Sequence, residues 1–377
     1  MTKDVIKYLV FSDVHLGNPR NDALDIISNI KEMLKSYDRK NKLDIIFIAG
    51  DLFDRLITLP SDTATESLLF MAWLLNFCAR NQTKLRVLEG TPSHDWLQCK
   101  QFETTISVSQ LPIDFKYITT VHVEHMEDLD IHVLYVPDEW DPSTDKTYED
   151  VLSELKARHV SKVDIAIMHG QFGYQLPAHI QKIPRHNEEN YLNIVKYFIS
   201  IGHIHTSSVF SRILAQGSVD RLSHNEEEAK GMMECHIYRD GQMEYFFIEN
   251  KNAKVFKTID ISELDSNKAM KKIDKLVSTL PFGSYVRLKA LSDHPTLNHF
   301  DEVKKKYPSV IWSKKVLDQK ETNINDDDLI RTFEQDYAPI LLTRNNLHDL
   351  LMTRIKSDPN HIDALTLRYE GILNDVL

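Results

Sequence analysis

At 377 residues, with 42% hydrophobic and 27% charged residues, the chain has the composition of a folded globular protein of about two domains, which excludes disordered and fibrous classes. A formal net charge of -11 excludes a protein that coats nucleic acid through a broad basic surface, but not a nuclease, because two divalent ions in a site would add about four positive charges that the count omits. No apolar run approaches the ~18 to 20 residues of a membrane span, and MTKDVIKYLVFSD enters a strand without a signal-type apolar region, so a cytoplasmic, membrane-free protein is expected.

The first predicted strand, VIKYLVF (5–11), ends in SDVHLG, which places Asp13 and His15 two residues apart. In extended backbone such a pair points to one side. A helix follows over DALDIISNIKEMLKSY, where apolar residues recur at helical spacing. The second strand, LDIIFIA (43–49), ends in AGDLFD with Asp51 and Asp54. SDTATESLLFMAWLLNFCARN then reads as a long helix with Ser61 as N-cap and a core stripe that includes Trp73 and Phe77. Strand LRVLE (85–89) leads into the loop Gly90-Thr91-Pro92-Ser93-His94-Asp95. Strand IHVLYV (131–136) comes next; VDIAIM (163–168) ends in His169, and YFISI (197–201) ends in GHIH with His203 and His205. These six runs are apolar enough to be buried on both faces, and their alternation with helices predicts a layered α/β domain. Cys78, Cys99 and Cys235 are odd in number and scattered, so reduced, buried thiols are expected.

After about residue 250 the texture changes to Lys-rich and Asp-rich helical stretches with one strand-like run, GSYVRLKAL (283–291). The expected domains are 1–250, a smaller one over 251–320, and a helical region over 321–377. Lys304, Lys305 and Lys306 read as a solvated helix face. NINDDD (323–328) reads as a loop or helix start, and two amphipathic helices are expected between 344 and 376.

In sheets of this kind ligands gather outside the carboxyl ends of strands. Four strand ends here deliver a carboxylate or an imidazole: Asp13 and His15, Asp51, His169, and His203 with His205. Carboxylate oxygens with imidazole nitrogens and no thiolate suit manganese, iron or zinc, and disfavour a structural zinc site. Asp51 can hold one ion with each oxygen. Two ions about 3.5 to 4 Å apart could then activate a water and stabilise the oxyanion of an in-line attack on phosphorus.

With DVH, GDLFD, SHD, HG and GHIH in order over residues 8 to 205, the chain resembles the calcineurin-like metallophosphoesterase superfamily, whose motifs are D-x-H, G-D-x-x-D, G-N-H-[DE], a later His and G-H-x-H. LAQGSVDRLSHNEEEAKG (214–231) and the adjoining MMECHIYRDGQMEYFFIEN are similar to the segment that closes the core in SbcD-type DNA repair nucleases, and GSYVRLKAL is similar to their small capping domain. The resemblance implies a β-sandwich flanked by helices, a smaller α+β capping domain and C-terminal helices. It implies two divalent ions, manganese first, with magnesium, iron or zinc as alternatives. Asp13, His15, Asp51 and His205 would hold one ion, and Asp51, His169 and His203 the other. His94 would stand beside the scissile phosphate and give a proton to the leaving oxygen or stabilise transition-state charge, with Asp95 orienting it and Asp54 fixing a ligand or the catalytic His.

The chain departs from the pattern at the third motif, where the ligand Asn is absent and the loop is two residues longer. Ser93 occupies the position before His94 and is the expected replacement ligand, with Thr91 or a water as the other candidates. The implied function is a Mn-dependent DNA exonuclease and endonuclease of repair, recombination or replication, dimeric and paired with an SbcC-type ATPase that the C-terminal helices would engage. A phage-encoded version would fit the compact core. A phosphatase or small-molecule phosphodiesterase on the same core suits the acidic charge better. A metal-poor scaffold that binds a protein partner is favoured by the altered third motif alone.

Overall fold

The computed structural model describes residues 4–138, 143–176 and 183–317, all within one compact unit, Met1–Ala338. The helices expected over 321–377 lie outside the described residues. In chain order the first half comprises β1 (Val5–Phe11), α1 (Ala23–Leu34), β2 (Ile45–Ala49), α2 (Asp62–Asn81), β3 (Lys84–Leu88), α3 (Pro92–Asp95), α4 (Gln101–Ser109) and β4 (Phe115–Ile118). Then come β5 (His122–Met126), β6 (Ile131–Val136), α5 (Thr144–Ala157), β7 (Ile165–His169), α6 (Glu188–Ile194), β8 (Ile199–Gly202), β9 (Ser208–Phe210) and β10 (Ile213–Ala215). A hairpin of β11 (Gly231–Tyr238) and β12 (Met243–Glu249) precedes β13 (Phe256–Asp260), α7 (Ser266–Val277), β14 (Tyr285–Leu291), α8 (Pro295–Asn298), α9 (Phe300–Lys306) and β15 (Ile311–Leu317).

Two six-stranded sheets form the main body, in the orders β12-β11-β1-β2-β3-β4 and β5-β6-β7-β8-β10-β9. Strands β1 to β4 run parallel, as do β6, β7, β8 and β10. The expected layering holds because side chains alternate along each strand. Tyr8 and Val10 of β1 face the second sheet and pack with Phe47, Val133, Tyr135, Ile165 and Ile167. Leu9 and Phe11 face the other way, against Ile26 and Ile30 of α1 and Phe70, Leu74 and Cys78 of α2. The outer face of the second sheet is covered by Val151 and Leu155 of α5 and Tyr191 of α6. The central strands β2, β7 and β8 are buried on both faces, and each large apolar side chain so buried contributes about 1.5–3 kcal/mol.

Ser61 caps α2 as expected, its hydroxyl accepting from Ala64 N at 3.1 Å. Phe77 is buried, while Trp73 packs at the margin of the core with Lys31 5.3 Å above its ring. All three cysteines are free and buried.

The third sheet is smaller, with strands β13, β14 and β15 in that order. All its pairings are parallel, so this unit is α/β with helical crossovers and not the α+β unit expected. Val286, Leu288 and Ala290 of β14 alternate into a core with Ile273 of α7 and Phe300 of α9. Lys304, Lys305 and Lys306 are exposed on α9, with Lys304 paired to Asp301 and Lys306 to Asp274, each at 3.2 Å. Glu227 ties the unit to the main body, accepting from Lys257 Nζ at 2.6 Å and Thr258 N at 3.0 Å.

Candidate metal centre

Because β1, β2 and β3 are parallel to one another, as are β6, β7 and β8, each sheet gathers the carboxyl ends of its strands along one edge, and the residues just past them converge. Asp13, His15 and Asp51 adopt φ of 52°, 52° and 51°, and His203 has φ of 100°. These are unfavourable values for L-residues. They turn each side chain out of the strand direction, so the extended i, i+2 geometry expected for the pairs is replaced by tight turns. Asp13 and His15 still meet in one group, but His203 and His205 separate into two.

The ligand-type atoms form three overlapping groups: Asp13, His15 and His205; His15, Asp51 and His94; and Asp51, His169 and His203. His15 Nε2 is 3.1 Å from His205 Nε2 and 3.7 Å from Asp51 Oδ2. On the other side His169 Nε2 is 3.3 Å from Asp51 Oδ1. With metal–ligand bonds of ~2.0–2.2 Å, neighbouring ligands on a tetrahedron or octahedron stand roughly 3.0–3.5 Å apart. The donor set therefore fits divalent ions on both sides of Asp51.

Residues 6–207 match the family described as calcineurin-like phosphoesterase. The chain belongs to that family. No curated protein matches it. Among solved structures, protein TT1561 of Thermus thermophilus is 12% identical, over 65% of this chain and 99% of that one, at a TM-score of 0.38. GAP50, the anchor in the inner membrane complex of Plasmodium, is also 12% identical, over 73% of this chain and 95% of that one, at a TM-score of 0.40. Family membership and the clustered ligands make the chain a metal-dependent phosphoesterase.

In this phosphoesterase the ligand histidines are aimed by hydrogen bonds on their far nitrogens. His169 Nδ1 lies 2.7 Å from Ala49 O, and a carbonyl can only accept, so Nδ1 carries a proton and Nε2, which faces Asp51, is the nitrogen that would take a metal. His205 Nδ1 is held at 3.2 Å by Glu226. Glu226 is held in turn by the buried Lys230 at 2.9 Å, whose Nζ also donates to His205 O at 2.9 Å. His203 N donates to both oxygens of Asp13, at 2.9 and 3.1 Å. Burial, and next the neighbouring His169, lower the pKa of His203 to about 4, which keeps its ring neutral and able to ligate. For Asp51, burial works towards protonation, but His169 and His94 hold its carboxyl well below the ordinary range.

His94 is 30% exposed, while the His15 and His169 side chains are buried. Its Nδ1 is 2.9 Å from Asp51 Oδ2. Burial opposes a charge on this ring, yet Asp51 raises its pKa to about 9. Asp95 does not take the orienting part expected of it. The two residues are adjacent on α3, so they project in different directions, and both Asp95 oxygens accept from backbone amides: Asp51 N at 3.0 Å, Phe53 N at 2.9 Å and Gly90 N at 2.7 Å. Asp95 thus joins the turn after β2 to the turn after β3, and Asp51 is the carboxylate on His94. Asp54 stands 3.4 Å from His15 Nδ1 and is itself held by Asn18 and Arg55 at 2.9 Å.

Ser93, the expected replacement ligand, is exposed, and its backbone carbonyl accepts from Trp96 Nε1 at 2.7 Å. The hydroxyl inside the cluster belongs to Thr91. Its Oγ1 is 3.4 Å from His169 Nε2, 3.4 Å from His203 Nδ1 and 3.3 Å from Asp51 Oδ2. Pro92 and Ser93 are the added residues that carry the chain from that position to His94. Gly90 is required just before, because a Cβ there would overlap the Asp51 amide.

Two further participants are not singled out by the sequence pattern. Glu226 lies in the Glu-rich stretch, and nothing in its spacing distinguishes it from Glu227 and Glu228. Asp138 lies two residues beyond β6, where burial raises its carboxyl to about 6 and His169 and Asp51 are within electrostatic reach. The signal that marks the other ligands, an acidic or imidazole side chain just past an apolar strand, is present for Asp138 too, at the end of IHVLYV.

Proposed function

We propose that this phosphoesterase is a manganese-dependent DNA exonuclease and endonuclease of the SbcD type, acting in repair, recombination or replication. The observation that carries the reading is the bonding of the small α/β unit to the flank of the centre. Glu227, next to the Glu226 that holds His205, bridges to Lys257 and Thr258, and Arg287 of β14 donates to Asn225 at 3.4 Å. Burial, and after it the charge of Arg20 from the loop after His15, lower the pKa of Arg287. Two neighbouring guanidinium groups where the small unit borders the main body suit a substrate with more than one phosphate, and a single small ester needs neither.

When bound, two divalent ions supply Lewis acidity towards a phosphoryl oxygen and towards water. Asp51 spans the two ligand groups and keeps them at one separation. The hydrogen bonds on His169 and His205 keep both Nε2 lone pairs turned inward. His94, fastened through Nδ1 to Asp51 and partly exposed, is the group placed to give a proton from Nε2 to the leaving oxygen. The resemblance adds a homodimer and an SbcC-type ATPase as partners.

The test compares labelled linear duplex DNA with p-nitrophenyl phosphate esters, using purified protein, Mn2+ and His94→Ala as control. Shortening of the DNA that His94→Ala abolishes, with Mn2+ binding retained, is the expected result. Hydrolysis of the small esters alone would end the nuclease reading in favour of a phosphatase or small-molecule phosphodiesterase. Absence of Mn2+ binding would favour the metal-poor scaffold.

A further inference from the structure

We infer that Glu89 is a positioning residue for His94: its carboxylate closes the loop that carries the imidazole and holds the ring where it can donate a proton. The inference rests on the reading of His94 as proton donor and not on DNA being the substrate.

The local support of His94 is thin. It rides on α3, a helix of four residues whose N-cap, Thr91, makes no side-chain capping bond, and a single turn is not stable by itself in water. The ring is 30% exposed and bonded through Nδ1 to Asp51 at 2.9 Å, so its placement depends on the backbone beneath it. After α3 the chain turns through Trp96 and Leu97, with φ of 49° and 56°. Two bulky L-residues in succession in the left-handed region are strained, and such a turn persists only where its surroundings over-determine it.

Glu89 holds that turn. Leu97 N donates to Glu89 Oε1 at 2.8 Å, and the Tyr117 hydroxyl of β4 donates to Oε2. The bond to Leu97 joins the residue before Gly90 to the residue after Trp96, so the segment that carries His94 is closed across its base. Glu89 is fixed in turn, because its N–H donates to Ile118 O at 2.9 Å and extends the pairing of β3 with β4 by one residue. Side chains alternate along a strand, so Glu89 falls on the face of Val87, which belongs to the apolar core beneath α2. A carboxylate 5% exposed on that face costs free energy that an apolar side chain would not, and the bonds to Leu97 and Tyr117 are what the position gains. Asp95 clamps the same loop onto the turns at Asp51 and Gly90. Glu89 acts at the other end, where the strained residues lie. Without its acceptor Leu97 can leave the left-handed region, and α3 shifts while the metal ligands stay in place.

The experiment separates proton donation from binding by means of the leaving group. A p-nitrophenolate or a thiolate leaves without a proton, whereas an alkoxide needs one. The full chain with Mn2+ is assayed on the p-nitrophenyl and methyl esters of thymidylate, and on an oligonucleotide with sulfur or oxygen at the leaving position. Glu89→Leu, which fills the space without an acceptor, should lower kcat for the alkoxide member of the cleaved pair by about tenfold or more and the other member by less than about threefold. KM and Mn2+ binding should not change. Glu89→Gln, which keeps an acceptor for Leu97, should recover most of the loss, and His94→Ala should show the same split. In the metal-stripped protein, nuclear magnetic resonance should show the His94 ring nitrogens moved by Glu89→Leu more than those of any other histidine. Should Glu89→Leu fail to fold, Tyr117→Phe, which removes the second bond of the same carboxylate, decides: a smaller loss of the same selectivity supports the inference and none overturns it. If neither pair is cleaved, or if His94→Ala shows no split, the proton-donor reading falls and the ring nitrogens decide the positioning by themselves. Equal loss on both members of a pair, loss of bound Mn2+, or unmoved His94 ring nitrogens would each overturn the inference.

Discussion

Glu124→Gln should destabilise the protein and remove a defined part of its acid sensitivity. Glu124 lies on β5 at the edge of the second sheet, and Arg86 lies on β3 of the first. Both side chains are buried, at 5% and 2% exposure. Arg86 meets the carboxylate twice, Nε to Oε2 at 2.9 Å and Nη2 to Oε1 at 2.8 Å, while Tyr135 of β6 donates to Oε2 at 2.8 Å. Burial would raise the Glu124 carboxyl, but Arg86, with Lys116 and Tyr135, draws it down from 4.5 to about 2. That depression corresponds to about 3 kcal/mol, and breaking a buried pair by removing one partner costs about 3–5 kcal/mol.

Asp114 keeps a hold on Arg86 at 2.8 Å and Lys116 is half exposed, so the lower end applies, about 2–3 kcal/mol. The sign is set by the depressed folded-state pKa: the contribution is complete above the unfolded value of 4.5 and disappears as pH falls towards about 2. Urea unfolding of both proteins at steps from pH 7 to pH 2 measures it. The gap between wild type and variant should be widest near neutrality and close on acidification. A gap under about 0.5 kcal/mol at pH 7, or one that does not narrow below pH 4.5, would refute the reasoning.

Glu226→Gln should weaken the ion held by His205 by about 10–100-fold and spare the ion on the His169 side, which stepwise Mn2+ titration resolves; equal loss at both would contradict the assignment. Gly90→Ala should abolish Mn2+ binding while the chain remains folded by circular dichroism, since the added Cβ meets the Asp51 backbone. Chelation should lower the melting temperature, and Mn2+ at 100 times its Kd should restore about 2.7 kcal/mol. Ser61→Ala, distant from the centre, should cost about 1 kcal/mol in stability through loss of the cap on α2 and leave Mn2+ titrations unchanged.

Strand and helix positions in the main body are legible in the sequence because two sheets covered on both faces leave unbroken apolar runs such as LDIIFIA and IHVLYV, and period and composition are local properties. The ligands Asp13, His15, Asp51, His169, His203 and His205 are legible for a related reason: each comes directly after such a run, so knowing where strands end locates them. Short edge strands such as β5 and β9, with few apolar residues, leave no comparable mark. The division of His203 and His205 between two ligand groups is implied in the sequence only through the family's motifs, and the positive φ of His203 makes it in the backbone. Counting from His94 favours Ser93 over Thr91 because it assumes a loop of one shape. The added residues and the short helix put that count out of step, and Asp95 likewise turns from His94 to the backbone. The meeting of Thr91 with His169, 78 positions apart in the chain, is decided by tertiary structure alone, because packing one sheet on the other brings the ends of β3 and β7 together.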